Sequence, residues 1–271
     1  MSKALPALLV DTHAHIFTHD MPLINNPRHS PTYSFTLENY LEQLDKNAIS
    51  YGVIAAASPW GDYNDYTRAS VKTNNRLRGT VILHPEKLDQ YPLQEMTDEG
   101  IVGIRLPFIG LEKLPDIRSP QYRKLFSALA DLNWHVHLHV EGRHIPDLLP
   151  HLENAGPRIV IDHLGRPAPN EDIDCPAFRC IAAAISRENV WLKASCAYRI
   201  GPMAEKHFLA YLKETGPNRM FWASDCPFVG HENELELSNT IKWLQNLIDD
   251  AASADKIFGY NALSFYFPEV S

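Results

Sequence analysis

Eight short β-rich runs, separated by segments of helical period, constrain this chain more than any other feature. They are ALLVDTHAH (7–15), YGVIAAAS (51–58), LRGTVIL (77–83), IVGIRLP (101–107), WHVHLHV (134–140), RIVIDHLG (158–165), NVWLKASC (189–196) and RMFWASDCP (219–227). Eight successive βα units predict an α/β protein whose parallel strands close into a (β/α)8 TIM barrel. The alternative, an open doubly wound sheet, calls for a glycine-rich phosphate loop after the first strand, and none is present. Between the strands, TLENYLEQLDKNAI starts on Thr36 as N-cap and sets Leu37, Tyr40, Leu41 and Leu44 on one face. SPQYRKLFSALADLN opens on a Ser-Pro start signal, and NELELSNTIKWLQNLI is strongly amphipathic. Gly52, Gly100, Gly156 and Gly216 are expected at or near helix ends. With no low-complexity linker and no repeat beyond the βα alternation, residues 1–271 read as one domain.

A chain of 271 residues, 45% hydrophobic and 21% charged, is long enough to bury a core without staples. Its net charge of −8 argues against nucleic acid or a membrane surface as partner, because both favour a basic face. A small anionic substrate stays open, since a local arginine cluster can override the global sign. Cys175, Cys180, Cys196 and Cys226 contain no Cys-x-x-Cys pair and read as reduced thiols, which points to the cytoplasm. The N-terminal MSKALPALLVD lacks the apolar core and cleavage site of a signal peptide, and no run is long enough to span a bilayer. A monomer or a small homo-oligomer is expected.

In a (β/α)8 barrel, active sites form where strands end and βα loops begin. Polar residues collect at those ends: His13 and His15 on the first strand, Ser58 after the second, Arg105 on the fourth and His139 on the fifth. His163 and Arg166 follow on the sixth, Ser195 and Arg199 on the seventh, and Asp225 on the eighth. The two-residue period of a strand puts His13 and His15 on the lumen face, with Val10, Thr12 and Ala14 toward the helices. It likewise groups His135, His137 and His139, with Val136, Leu138 and Val140 facing outward. His135 reads as a core residue bonded to a backbone carbonyl. Asp11 and Asp162 read as pointing away from the lumen, and His84, His144, His151, His207 and His231 as surface residues. Taken alone, Arg105 would sooner close a structural ion pair with a residue such as Glu141.

With those residues in place, four motifs in strand order carry a likeness: DTHAH, DHLGRP, WLKASCAYRI and FWASDCPF, with GYNALSFYF at the C-terminus. The chain resembles the amidohydrolase superfamily, in its amidohydrolase-related branch, over almost its whole length. Within that branch NPRHSPTYSFTLENYLEQLDKNAI, GIRLPF, DHLGR and AYRI are similar to segments of the 2-pyrone-4,6-dicarboxylate lactonases. The resemblance implies Asp225 as the general base that activates water, with His13, His15 and His163 polarising a lactone carbonyl. It implies Arg105, Arg166 and Arg199 as ligands of substrate carboxylates, with His139 and Ser58 beside them. Guanidinium forks suit such groups because they bind carboxylates bidentately. The chain differs from that group in three places. No second arginine follows Arg105 in LPFIGLEKL, His139 stands where a tyrosine is expected, and SDCPF lacks a histidine after the base, although His231 follows shortly.

Many members of the superfamily hold zinc or a similar divalent ion, and here His13, His15 and Asp225, joined by His139 or His163, could ligate one. The lactonase-like branch is thought to work without metal, so no cofactor is required by the resemblance. The leading expectation is a hydrolase that opens a lactone of a small carboxylated compound. A metal-dependent decarboxylase acting on an aromatic or muconate-like acid is the alternative. A barrel that binds a small acid without turning it over is disfavoured, because a binder has no use for a base.

Overall fold

The computed structural model describes residues 5–270, so the first four residues of MSKALPALLVD lie outside the described residues. In chain order the elements are β1 (Val10–Ala14), α1 (Leu37–Lys46), β2 (Tyr51–Ile54), α2 (Asp65–Lys72), β3 (Leu77–Val81), α3 (Leu93–Glu99) and β4 (Ile101–Pro107). There follow α4 (Pro120–Asp131), β5 (His135–His139), α5 (Ile145–Ala155), β6 (Arg158–Ile161), α6 (Pro176–Ser186) and β7 (Val190–Ala194). The chain ends with α7 (Ala197–Ile200), α8 (Met203–Thr215), β8 (Met220–Trp222), α9 (Leu237–Leu247), α10 (Ala251–Asp255) and α11 (Asn261–Tyr266). The strands pair in parallel in the order β1 to β8. Closure comes just past β8: Ala14 bridges Cys226, the His15 amide donates to the Cys226 carbonyl at 2.8 Å, and the Asp225 amide donates to the His13 carbonyl at 2.9 Å. This is the (β/α)8 barrel that the alternation predicts. All eight strands lie within the runs named above, and among the described residues no helix is long and apolar enough to cross a membrane.

Local chemistry explains where the helices start. Thr36 caps α1 by accepting from the Asn39 amide at 3.4 Å, while Asn39 Oδ1 accepts from the Thr36 amide at 3.0 Å. Ser119 caps α4 ahead of Pro120. Gly100, Gly156 and Gly216 end α3, α5 and α8 with φ of 105°, 102° and 69°, values that only glycine adopts freely. Gly52 has a different reason. It lies inside β2, where a Cβ would come within 2.5 Å of the Tyr40 hydroxyl on α1, so glycine is what lets helix and strand approach.

Two apolar layers flank the polar part of the lumen. Outward residues such as Ile159, Ile161, Leu192 and Trp222 pack under the helices. Val10, Val53, Val160 and Phe221 form the floor, closed from below by Phe265 and Tyr266 of α11 and by Phe267. Val10 was expected on the helix side. The β1–β2 register shifts between Asp11 and Ala14, and the strand's alternation is broken there. Ala14 does face the helices, and Thr12 donates from its hydroxyl to the Trp222 carbonyl at 2.7 Å.

Candidate active site

Above the floor the lumen turns polar. His135, His137 and His139 all project inward from β5, while Val136, Leu138 and Val140 join the helix-side core. His135 is a core residue packed against Phe265 and Tyr266, with ring centroids 5.2 and 5.1 Å apart. His137 Nε2 lies 3.0 Å from the Tyr266 hydroxyl.

The middle layer is ionic. Lys193, wholly buried on β7, places Nζ 3.0 Å from His13 Nδ1, 3.2 Å from His137 Nδ1 and 3.1 Å from Asp162 Oδ1. Burial pulls the Lys193 ammonium down to about 8, although Asp162 beside it pushes the other way. Arg105 donates from Nε to Asp162 Oδ2 at 2.9 Å and from Nη1 to the Ala56 carbonyl at 3.0 Å, and its Nη2 lies 3.0 Å from His139 Nδ1. Burial raises the Asp162 carboxyl, but Lys193, His13 and Arg105 outweigh it and hold that group well below the usual carboxylate range. Asp162 therefore faces the lumen, contrary to expectation. His163 adopts φ +53°, which ends the alternation and lets two consecutive side chains point inward. Arg105 pairs with Asp162 and not with Glu141, which instead accepts from the Gly110 amide. Asp11 does point away from the lumen: it accepts from Ser224 and from the Tyr40 hydroxyl.

At the rim, four side chains converge. Asp225 Oδ1 lies 3.6 Å from His13 Nε2, 3.5 Å from His15 Nε2 and 3.8 Å from His163 Nε2, and the two Nε2 atoms of His13 and His15 are 3.2 Å apart. His13, His163 and Asp225 are close enough to share an ion, as are His13, His137 and Asp162, around which the Lys193 ammonium sits. Burial raises Asp225, yet the facing imidazoles of His163, His15 and His13 prevail and keep the carboxyl well below its ordinary range. Burial likewise lowers His13 and takes His163 down to about 3, so both rings are neutral near pH 7. The other carboxylate oxygen, Oδ2, accepts from the Tyr198 hydroxyl at 2.6 Å and from the Cys196 thiol at 3.4 Å. Burial pushes that thiol well up, so it stays protonated. His163, Leu164, Arg166, Cys196, Asp225 and Phe228 all have φ between 48° and 67°, a conformation unfavourable to side chains that here concentrates after β6, β7 and β8.

A partly open cleft leads onto this cluster. His15, Ser58, Arg105, His139, His163, Arg199 and Asp225 line it, together with Arg28 and His29 from the β1–α1 loop and the rings of Phe17 and Trp60. His13 lies beneath, fully buried. Arg166 stands beside the cleft, its Nη1 3.9 Å from Cys196 Sγ, and does not line it. Arg199 stacks over Tyr198 at 4.9 Å and donates to its hydroxyl at 3.1 Å. His231 pairs with Glu234 on the surface, and His84, His144 and His151 are at least partly exposed. His207 is the exception: it is buried, with Nε2 2.8 Å from the Glu171 carbonyl. Sequence reasoning missed Arg28, Lys193 and Tyr198. A lysine on the lumen face of an apolar strand was a readable signal, whereas Arg28 sits in a loop without period.

A family model described as amidohydrolase matches residues 10–267. The chain belongs to the amidohydrolase family. It is a hydrolase, as the names of its relatives indicate. Over 283 residues it is 24% identical to a 2-pyrone-4,6-dicarboxylate hydrolase of Comamonas testosteroni, covering 98% of this chain and 92% of that protein. Over 240 residues it is 25% identical to a 4-sulfomuconolactone hydrolase of Rhizobium radiobacter, covering 85% and 79%. A crystal structure of a probable 2-pyrone-4,6-dicarboxylic acid hydrolase from Acinetobacter baumannii, with citric acid bound, superposes with a TM-score of 0.88 at 28% identity, covering 95% and 98% of the two chains. The likeness to pyrone dicarboxylate hydrolases drawn from the strand-end motifs is thus borne out across the amidohydrolase barrel.

Proposed function

We propose that this amidohydrolase opens a lactone ring in a small carboxylated compound, acting as a single cytoplasmic domain. The observation that carries this reading is the placement of Asp225 Oδ1 among three imidazoles at the base of a cleft edged by Arg28, Arg105 and Arg199. An ionised, buried carboxylate can take a proton from water, and neutral imidazoles can donate to, or accept from, the reacting oxygens. Asp225 takes the proton as water oxygen bonds to the lactone carbonyl carbon. His163 and His13 turn Nε2 to the same space; the N–H of His163 holds the developing oxyanion, and that of His13, directed at His15 Nε2 in the free enzyme, turns to the oxyanion as it forms. His15 donates from Nδ1 to the Ala55 carbonyl at 2.7 Å, so in the neutral ring its Nε2 is an acceptor, which takes the His13 N–H in the free enzyme and orients the water once that N–H serves the oxyanion. The ring C–O bond then breaks, and Asp225 returns the proton to the leaving oxygen.

Arg28 and Arg199 meet the substrate carboxylate, with Ser58 and His139 on the cleft wall and Arg166 setting the field from behind Cys196. Curated relatives named for a pyrone dicarboxylate and a sulfomuconolactone favour an anionic lactone. The test is a panel of lactones carrying no, one or two carboxylates. Ring opening of the charged members, with no turnover of the neutral ones, is the expected result, and no turnover across the panel refutes the reading.

The spacing at the rim raises a second reading. A tetrahedral ion with ligands at about 2.1 Å needs donor atoms about 3.4 Å apart. The 3.5–3.8 Å from Asp225 Oδ1 to the three imidazoles, and the 3.2 Å between His13 and His15, come near that value, as a metal-dependent decarboxylase would require. Such an ion, when bound, would supply a Lewis acid and an acidified water. The spacing fits but the proton on His13 does not, so no step here runs through an ion. Carbon dioxide release with stoichiometric bound metal would establish the decarboxylase instead.

A further inference from the structure

The geometry points to Lys193 as the positioning residue that fixes His13 in its Nε2–H form, which withholds from a metal ion the lone pair the rim would have to offer. This rests on the site proposed above, though neither of its readouts depends on lactone turnover.

The argument comes from both ends of one hydrogen-bonded chain. An ammonium has donors only, so Lys193 Nζ, 3.0 Å from His13 Nδ1, needs a bare nitrogen there. A proton on Nδ1 would set two donors against each other at that distance. Asp162 Oδ1 lies 3.3 Å from the same nitrogen but 3.1 Å from Lys193 Nζ, and it serves the ammonium. At the other end, the Ala55 carbonyl has acceptor lone pairs only, so His15 must carry a proton on Nδ1, which in a neutral ring leaves Nε2 bare. His15 Nε2 then faces His13 Nε2 at 3.2 Å, and a proton between them is needed to avoid two opposed lone pairs. Both ends demand the same tautomer of His13. An ion between the imidazoles would relieve the His15 end alone and would leave the Lys193 end unsatisfied.

The usual second shell of a metal-binding histidine is a carboxylate or carbonyl that accepts from the remote nitrogen and frees the near one. Asp162 is placed to serve so, and Lys193 occupies its place. The cage of His13, His137 and Asp162 thus already holds a cation, the chain's own ammonium.

Two measurements test this. Long-range 1H–15N correlation spectra of the wild-type protein, with His13 assigned by loss of its signals in His13→Asn, read the tautomer directly. A protonated Nε2 and bare Nδ1 are expected, and a protonated Nδ1 overturns the proposal. Calorimetric titration with zinc alone compares wild type with Lys193→Met, which keeps the side-chain volume and removes the ammonium. With Asp162 freed to accept from His13 Nδ1, the variant should bind zinc at least about tenfold more tightly, a difference of about 1.4 kcal/mol. Equal or weaker zinc affinity in a folded variant overturns the proposal. If Lys193→Met does not fold, the wild-type spectrum decides alone. A wild-type spectrum with Nε2 protonated in a protein that opens no lactone would refute the proposed function and leave this inference standing.

Discussion

Replacing Asp225 by asparagine isolates the proposed base with little disturbance to the barrel. Asp225 has φ +67°, a conformation that asparagine shares with aspartate and glycine more readily than other residues, so the backbone should hold. The amide oxygen of the substituted side chain can still accept from the Tyr198 hydroxyl, which leaves that buried donor satisfied. What is lost is the ability to take a proton from water at Oδ1, the atom that faces the three imidazoles. A positioned general base contributes about 10²–10⁴-fold, which is about 2.7–5.4 kcal/mol of barrier. The expected outcome is therefore a fall in kcat of at least about 100-fold with a native circular dichroism spectrum, measured on whichever charged lactone the wild type opens fastest. Alanine is the poorer probe, because it adds backbone strain at positive φ and orphans Tyr198. A folded Asp225→Asn enzyme whose kcat stays within about threefold of wild type would show that Asp225 is not the base, since threefold is only about 0.65 kcal/mol.

Three further outcomes follow from single contacts. Arg28 makes no hydrogen bond or ion pair with the described residues, and burial together with Arg166, Arg199 and Arg105 lowers its pKa, so Arg28→Gln should leave stability within about 0.5 kcal/mol. The same variant should raise KM for a carboxylated lactone about 10–100-fold, at nearly unchanged kcat, by removing a charged hydrogen bond worth about 1.5–3 kcal/mol; an unchanged KM would remove Arg28 from the binding site. Gly52→Ala should destabilise by about 1–3 kcal/mol in urea melts, because the new methyl meets the Tyr40 ring, and a neutral effect would mean that α1 shifts freely. Glu99 accepts from Arg68 at 2.7 Å and from Lys72 at 3.2 Å, and the Arg68 bond above all holds its pKa below the ordinary 4.5. Its contribution is fully present above pH 4.5 and is lost as pH falls through the lower folded value. The stability gap between wild type and Glu99→Gln should accordingly be about 1–3 kcal/mol at pH 7 and close in acid.

The barrel was legible because its signal is repetitive. Eight apolar runs with polar ends survive an error of several residues in any one of them, as β2 and β6 illustrate by stopping at Ile54 and Ile161, well short of the runs that announced them. The rim was legible for the same reason, since most polar strand ends point to one mouth, with Arg166 standing beside it. What strand periodicity could not deliver are the places where the backbone leaves the strand. Asp162 shares the inward parity of Val160, and His163 comes inward as well only because its φ is +53°. Val10 joins the floor because of a register shift that no sequence pattern announces. Lys193 failed for another reason. Lysine is rarely buried, so composition does not single it out, although its place on the lumen face of β7 is tenable only because it is buried among acceptors.

The ionic layer is costly for a barrel whose type fills this space with branched apolar side chains. Taking each charge out of water costs several kcal/mol, and an apolar replacement of similar volume is often as stable or more so. Lys193 and Arg105 both pair with Asp162, which limits the cost without making the arrangement a source of stability. Its value is therefore orientational. Arg105 holds the ring of His139 at Nδ1, Lys193 holds those of His13 and His137 at theirs, and Asp162 fixes both cations. Each imidazole so held has one nitrogen committed below the rim. For His13 this leaves the nitrogen nearest the substrate as a donor of known sense. An apolar layer would pack as well but would leave that ring free to turn. Lys193 and Asp162 lie one layer beneath the chemistry because that is where they can set protons without meeting the substrate.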